Sequence, residues 1–293
     1  MTEAWLPLAL IAIFLYGSSQ VAQKVALKSL TAPNVAFLSI VLAAPISLVC
    51  LAPYLWSGEL FEIDLETLGI GLLAAAFGQF GYYTYLEAAE RGPISIVGSV
   101  TAAYPIMVIV VAITFLGENP GRLQLGGVLL VTSAIITLSF LHGRQERAGV
   151  KLGRKYIAIC LVTVGFWGLW AILTKLALED MDPLLFLGLY GVVIIPATLT
   201  YYGYRGLRIR AVIPKWSVPL MIAIMSSEVV NIAFFAEINA IDQGPASIVF
   251  PLVASSPFIV ILLAFLFLKE RLSRVEWLLA VLVVIGIVVV STV

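Results

Sequence analysis

Long apolar runs separated by short polar connections dominate the chain. Ten of these runs reach about 20 residues, the length that an α-helix needs to cross the hydrocarbon core of a bilayer. Because lipid offers no partner for backbone N–H and C=O groups, such runs fold as helices that satisfy those groups internally. The pattern predicts ten transmembrane helices, near residues 4–24, 33–56, 67–89, 94–116, 122–141, 156–178, 184–203, 217–240, 246–268 and 274–292.

The second half of the chain repeats the first at an offset of 151 to 152 residues. Segment 92–118 aligns without gaps on 244–270 with 13 identities in 27 positions, and both copies keep a Gly-Pro pair, a central proline and a final glutamate. An odd number of spans in each copy inverts the second copy relative to the first. We therefore expect an all-α integral membrane protein built from two inverted five-helix repeats, 1–141 and 156–293, with a cytoplasmic linker at 142–155.

Composition and charge narrow the class of protein. Of 293 residues, 61% are hydrophobic and 12% are charged, whereas about 25% of the residues of soluble domains are charged, so a soluble globular fold is excluded. Acidic and basic residues number 17 each, and this balance gives no sign of a nucleic-acid partner. The chain has a single histidine, and both cysteines lie inside apolar runs. We therefore expect no metal site, no cofactor and no catalytic residue.

The basic residues predict the orientation, because cytoplasmic loops of membrane proteins are rich in Lys and Arg. One side of the predicted bundle collects nearly all of them, including the linker and the loop at 204–216, while Arg122 and Lys175 fall on the other side. We therefore expect a multi-pass protein of the cell inner membrane, with the linker in the cytoplasm and both termini outside.

The eighth span carries a polar stripe at helical spacing. Glu228, Asn231, Phe235, Asn239 and Asp242 share one face, and an ionisable residue at mid-membrane depth is a functional candidate by default. We predict that this stripe lines a cavity and that Glu228 couples transport to proton exchange. The alternative is a protonated structural residue that is hydrogen-bonded to a neighbouring helix. On the same wheel Glu237 points away from the stripe, so a structural role is expected for it.

Matching faces occur on the first, third and sixth spans. Aromatic rings beside a carboxylate suit an organic cation or the ammonium end of a zwitterion, although Tyr and Trp also anchor helices at the membrane surface. Together with Glu228, the predicted substrate-binding and cavity residues are Tyr16, Gln20, Gln79, Tyr83, Trp167, Trp170, Asn231 and Phe235.

Four further residues occupy corresponding positions of the two copies. Lys24 and Lys175 close the first and sixth spans; each is expected to snorkel, to interact with a helix C-terminus or to meet a substrate carboxylate. Pro105 and Pro257 lie near the middle of the fourth and ninth spans. Since a proline removes a backbone hydrogen bond, we predict gates or hinges there.

These duplicated motifs together resemble one known family. They are Tyr16-Gly17 with Lys24, Trp167-Gly168 with Lys175, the Gly-Pro-x-Ser turns at Gly92 and Gly244, Pro105 with Pro257, and Glu118 with Glu270. Over nearly its whole length the chain resembles the EamA-type ten-helix group of the drug/metabolite transporter superfamily. The resemblance implies two inverted bundles around a central cavity lined by the first, third, fourth, sixth, eighth and ninth spans. Glu228 is not part of the general family pattern.

We expect a secondary active transporter that exports small metabolites, with amino acids or organic amines as the substrate class. It would work by alternating access with proton or exchange coupling. The alternative is a flippase or antiporter of lipid-linked, sugar or phosphorylated substrates, for which only Lys24 and Lys175 offer cationic groups. An enzyme is disfavoured because no buried nucleophile and base pair up, and a channel because no filter is evident. The expected partners are the substrate and the bilayer; a monomer and a homodimer both stay open.

Overall fold

A computed structural model describes residues 4–91, 97, 100–146, 154–268 and 273–291. Throughout these ranges the regular secondary structure is helical, which confirms the predicted all-α class. A π-helical turn, Ser39–Ala43, connects two of the helices. The helices are α1 (Trp5–Ala26), α2 (Ala32–Leu38), α3 (Ala44–Ser57), α4 (Leu65–Arg91), α5 (Tyr104–Thr114), α6 (Arg122–Glu146), α7 (Arg154–Ala177), α8 (Pro183–Arg205), α9 (Ile209–Val212), α10 (Val218–Gln243), α11 (Ala246–Val253), α12 (Pro257–Leu268) and α13 (Arg274–Ser291).

Six segments of the described chain are long and apolar enough to cross a membrane. One of them runs through α2, the π-helical turn and α3. The predicted ninth span is not one continuous α-helix, because residues 254–256 form hydrogen-bonded turns and α12 begins at Pro257. Proline has no N–H to donate to the preceding turn, so it fits the first position of a new helix.

Helix packing confirms the two inverted repeats. The first span of each copy lies along the third span of the other copy: α1 packs along α10, and α7 packs along α4. The remaining spans meet their own counterparts, as α3 does with α8, α5 with α11 and α6 with α13. A pseudo-twofold relation between the copies accounts for this pattern.

The duplicated glycine after Tyr16 and Trp167 permits close helix contacts. A Cβ atom on Gly17 would lie 2.8 Å from the carbonyl oxygen of Ser256 and would collide with Ile259. A Cβ atom on Gly168 would lie 2.9 Å from Sδ of Met107, the residue that corresponds to Ile259. The motif therefore lets the first span of each copy approach the fourth span of the other.

One end of the bundle, where α1 begins at Trp5 beside Gly244, is called the Trp5 face. Two charged side chains, those of Lys175 and Glu118, hold this end. Lys175 Nζ donates hydrogen bonds to the carbonyl oxygens of Ile241 (3.0 Å) and Gly244 (3.2 Å). Of the three roles expected for Lys175, the structure shows the one at a helix C-terminus, where a cation offsets the negative end of the dipole.

The second charged residue of the Trp5 face is Glu118. Its carboxylate accepts hydrogen bonds from the backbone N–H groups of Ala246 (2.7 Å) and Ser247 (3.0 Å) at the start of α11. These donors lack partners within the helix, so Glu118 joins the first repeat to the second. Outside the described residues lie Gly92, Glu270 and residues 147–153 of the predicted linker.

A buried ion cluster holds the opposite end, which we call the Arg205 face. The Glu87 carboxylate of α4 pairs with Arg91 and with Arg205 of α8, and it also accepts a hydrogen bond from the Tyr201 hydroxyl. Only 8% of the Glu87 side chain is exposed. The cluster therefore ties the third span of one copy to the seventh span of the chain.

Candidate functional site

A cavity of about 230 Å³ lies between the two repeats. Its described walls come from the six spans that the family resemblance implies and also from the second and seventh spans, which contribute Ser39, Ser47, Tyr190 and Ile194. Aromatic rings form much of the wall. They belong to Tyr16, Tyr82, Tyr85, Tyr104, Trp167, Trp170, Tyr190 and Phe234.

A carboxylate lies among the aromatic residues of the cavity wall. Glu237 of α10 is 3% exposed, and the Tyr16 hydroxyl of α1 donates a hydrogen bond of 2.6 Å to its Oε2 atom. Tyr104 and Tyr190 line the same cavity. Among the described lining residues Glu237 is the one acid, and none is Lys, Arg or His.

The rings around Glu237 pack mainly edge to face. Tyr190 meets Phe234 with ring centroids 4.7 Å apart, and Tyr104 meets Trp167 at 6.0 Å. Such contacts fix the rings, and the aromatic residues and Glu237 line the same cavity. A cation at this point would gain both charge pairing and cation–π attraction.

The repeat makes two corresponding contacts in the cavity wall chemically different. Tyr16 corresponds to Trp167, and Glu237 corresponds to Tyr85. In the first copy of this contact Tyr85 and Trp167 stack with centroids 5.5 Å apart. An aromatic stack therefore occupies the place that a hydrogen-bonded phenol and carboxylate occupy in the other copy.

Two corresponding amides also differ in their surroundings. Gln79 of α4 donates a 2.8 Å hydrogen bond to the Tyr83 hydroxyl, which in turn bonds to Thr198 of α8. Asn231 of α10 corresponds to Gln79, and its Nδ2 atom is buried with no hydrogen-bond partner among the described residues. Tyr83 corresponds to Phe235, so the hydroxyl that satisfies Gln79 is absent beside Asn231.

The structure brings six of the nine predicted site residues to the cavity wall. They are Tyr16, Gln20, Gln79, Trp167, Trp170 and Asn231. Tyr83 is not a wall residue, because it is 1% exposed and lies behind Gln79 against α8. Its predicted place in the cavity is therefore corrected to a supporting one.

Glu228 and Phe235 do not line the cavity. Phe235 is 48% exposed, and Glu228 is half-buried on the same side of α10 as the exposed Met221 and Ile232. The predicted stripe is centred on a different side of α10 from the side that faces the cavity. Among the described residues of the predicted stripe, Asn231 is the one that lines the cavity. The residues of α10 that line the cavity are Ser227, Val230, Asn231, Phe234 and Glu237.

Glu237 is a cavity-wall residue that the sequence analysis did not select as a site residue. It lies off the predicted stripe, as the helical wheel indicated, and that direction leads to the cavity wall, where the Tyr16 hydroxyl donates a hydrogen bond to it. The signal that was available is the polar face of α1, since Tyr16, Gln20 and Gln23 face the cavity and α1 packs along α10. A carboxylate on the α10 side of that contact was the better candidate.

The two predicted hinge prolines begin helices. Pro105 is the second residue of α5, and Pro257 is the first residue of α12 and lines the cavity. In the non-helical stretch before Pro257, the Ser256 hydroxyl accepts a 3.1 Å hydrogen bond from Gln20. A gating role at these prolines stays a prediction.

Comparison with known proteins agrees with this architecture. A model described as the EamA-like transporter family matches residues 3–140 and again residues 154–292. No curated protein matches the chain significantly in sequence. A solved structure described as "Crystal structure of protein" superposes with a TM-score of 0.73 at 13% identity, and the match covers 99% of this chain and 98% of that one. At this identity the superposition shows a shared fold.

Proposed function

The chain belongs to the EamA-like transporter family, and we propose that it is a secondary transporter whose substrate places an ammonium group beside Glu237. Membership in the family makes the protein a multi-pass membrane transporter, and the family's members are transporters and not enzymes. The observation that carries the substrate class is the buried Glu237 carboxylate in an aromatic wall. Amino acids and organic amines fit this chemistry.

The charge of the wall distinguishes this class from the alternative one. A phosphate or sugar phosphate needs cationic donors, and the described lining offers no Lys, Arg or His. Lys175, one of the two cations considered for that role, is engaged with the carbonyl oxygens of Ile241 and Gly244. A cavity of about 230 Å³ is also suited to a small metabolite.

The burial of the Glu237 carboxylate supports a scheme in which transport is coupled to the exchange of a proton or of a second substrate. A buried carboxylate is costly to leave charged without a partner, so it holds either a proton or the ammonium group of the substrate. Alternating access would expose Glu237 to the two sides in turn, and each substrate released would be replaced by a proton or by another substrate. The coupling role predicted for Glu228 moves in this proposal to Glu237.

The test compares two carboxylates on the same helix. Glu237→Gln keeps the size of the side chain and removes its charge, so we expect the affinity for alkylamines to fall at least thirtyfold, since losing one partner of a buried charge pair costs about 2 kcal/mol or more. Isothermal titration of the purified protein with pentylamine measures this affinity. Counterflow of radiolabelled amine in proteoliposomes measures transport.

Glu228→Gln is the matched control, because Glu228 lies on the opposite side of α10 from the cavity. We expect its affinity and counterflow to equal those of the unmodified protein. Equal affinity in Glu237→Gln and the unmodified protein would refute the proposal. Binding of inorganic phosphate or sugar phosphates in place of amines would favour the alternative substrate class.

For orientation, we propose that the Arg205 face is cytoplasmic and that both termini lie outside. The described basic residues on this face include Arg91, Arg205, Arg208 and Lys215, which is the arrangement of cytoplasmic loops. Cysteines introduced at Arg208 should resist an impermeant thiol reagent applied to intact cells. Export and an inner-membrane location stay predictions; uptake of labelled amine into everted vesicles would test export.

A further inference from the structure

We propose that Asn231 binds an acceptor oxygen of the substrate, so that the preferred substrates carry both an ammonium group and an oxygen. This inference rests on the proposed function and specifies the substrate further. It follows from a difference between the two repeats, at a position where one copy of a polar pair is complete and the other is not.

The complete pair is in the first repeat. Gln79 donates its hydrogen bond to the hydroxyl of Tyr83, four residues later on α4, and Thr198 completes the group. Gln79 therefore has an internal partner although it lines the cavity. A substrate would have to compete with Tyr83 for this amide.

The incomplete pair is in the second repeat. Asn231 and Phe235 hold the corresponding positions on α10, and a phenylalanine ring offers no hydroxyl. Asn231 Nδ2 is buried and lacks a partner among the described residues, while the side chain lines the cavity. An unpaired buried amide donor is costly, and a substrate oxygen that accepts its hydrogen bond would remove that cost.

The positions of Asn231 and Glu237 allow one small molecule to reach both. They are six residues apart on α10, a rise of about 9 Å along the helix. Six residues also rotate the side chains by about 120° relative to each other, so Asn231 and Glu237 reach the cavity from different directions. Because both line the same cavity, a substrate that meets both carries an ammonium group and an oxygen separated by a carbon chain. Amino acids, amino alcohols and ether amines have this form, whereas simple alkylamines lack the oxygen.

Two isosteric probes test the inference. Pentylamine and 3-methoxypropylamine have the same number of heavy atoms and differ by one methylene replaced with an ether oxygen, which can only accept a hydrogen bond. With the unmodified protein we expect 3-methoxypropylamine to bind about tenfold more tightly, the effect of one satisfied hydrogen bond to a buried donor. Isothermal titration of purified protein gives both dissociation constants.

Asn231→Leu should abolish this preference, so that the dissociation constants of the two probes become equal. Because the substitution removes a buried donor that has no partner, the thermal midpoint of the empty protein should stay the same or rise. Gln79→Leu is the matched control: it should lower the midpoint, since it removes a bond to Tyr83, and it should keep the preference for the ether.

The outcomes separate this inference from the proposed function. Equal affinities of the two probes for the unmodified protein, a preference that survives Asn231→Leu, or a lower midpoint in Asn231→Leu would each overturn the inference alone. Failure of both probes to bind, or binding of both that Glu237→Gln does not weaken, would overturn the proposed function as well.

Discussion

Helices α4 and α10 are copies of one ancestral span, yet their polar side chains have opposite partners. On α4 the amide of Gln79 and the carboxylate of Glu87 are engaged through hydrogen bonds and ion pairs, and these lead to Thr198, Tyr201 and Arg205 of α8. The third span is therefore fastened to the seventh by polar contacts.

On α10 the corresponding contacts are missing. Glu87 corresponds to Asn239, whose amide donates a 2.8 Å hydrogen bond to the carbonyl oxygen of Phe235 on its own helix. The second span, which contains α2, the π-helical turn and α3, is the counterpart of α8. Helix α10 contacts this span mainly at the π-helical turn, and Ser39 and Asn231 both line the cavity. The two copies of the helix thus differ: polar side chains of α4 fasten it to α8, whereas Asn231 and Glu237 of α10 line the cavity.

The largest expected effect comes from the ion cluster that fastens α4. In Glu87→Gln the partly buried positive charge of Arg205, whose side chain is 28% exposed, loses its partner. Removing one member of a buried pair costs about 3 to 5 kcal/mol, and the partial exposure of Arg205 reduces this to about 2 to 3 kcal/mol. Unfolding in SDS, followed by intrinsic fluorescence, measures the change.

Asn239→Ala is the repeat-related control for that variant. Because Asn239 bonds only to its own helix near the surface, the free energy of unfolding should change by no more than about 0.5 kcal/mol. Equal losses in the two variants would show that the helices are fastened alike, against the comparison drawn above.

The duplicated glycines give the next largest effect. In Gly17→Ala the new methyl group meets a backbone oxygen of Ser256 and the rigid, β-branched Ile259, so we expect a loss of about 2 kcal/mol from overpacking. In Gly168→Ala it meets the flexible end of Met107, and the loss should stay below about 1 kcal/mol. Thermal midpoints in detergent rank the two; the reverse order would contradict the contacts described.

Sequence alone could predict the helical spans, the repeat and part of the cavity wall. Length and hydropathy determine where a chain can cross a bilayer, and a duplicated motif such as Tyr16-Gly17 and Trp167-Gly168 survives because both copies make the same close contact. Residues on α1 and α7 were predicted correctly as wall residues, since aromatic and amide side chains in an apolar helix have few other places to lie.

The rotation of α10 about its axis could not be predicted in this way. Polar residues occur on both sides of the helix, with Glu228 on one and Glu237 on the other, and only packing against α1 decides which side is enclosed. The ion cluster was equally hidden, because Glu87 and Arg205 are 118 residues apart and no local pattern connects them.

The smallest expected effect concerns one hydroxyl group. Tyr83→Phe makes the first repeat resemble the second, because it removes the oxygen that satisfies Gln79 and Thr198. Since Tyr83 is buried, we expect a loss of about 1 to 2 kcal/mol in the free energy of unfolding. Phe235→Tyr adds the same group on the exposed side of α10 and should be within about 0.5 kcal/mol of neutral. If Tyr83→Phe were neutral too, the Gln79 amide would not depend on the hydroxyl, and the distinction between a satisfied and an unsatisfied amide would fail.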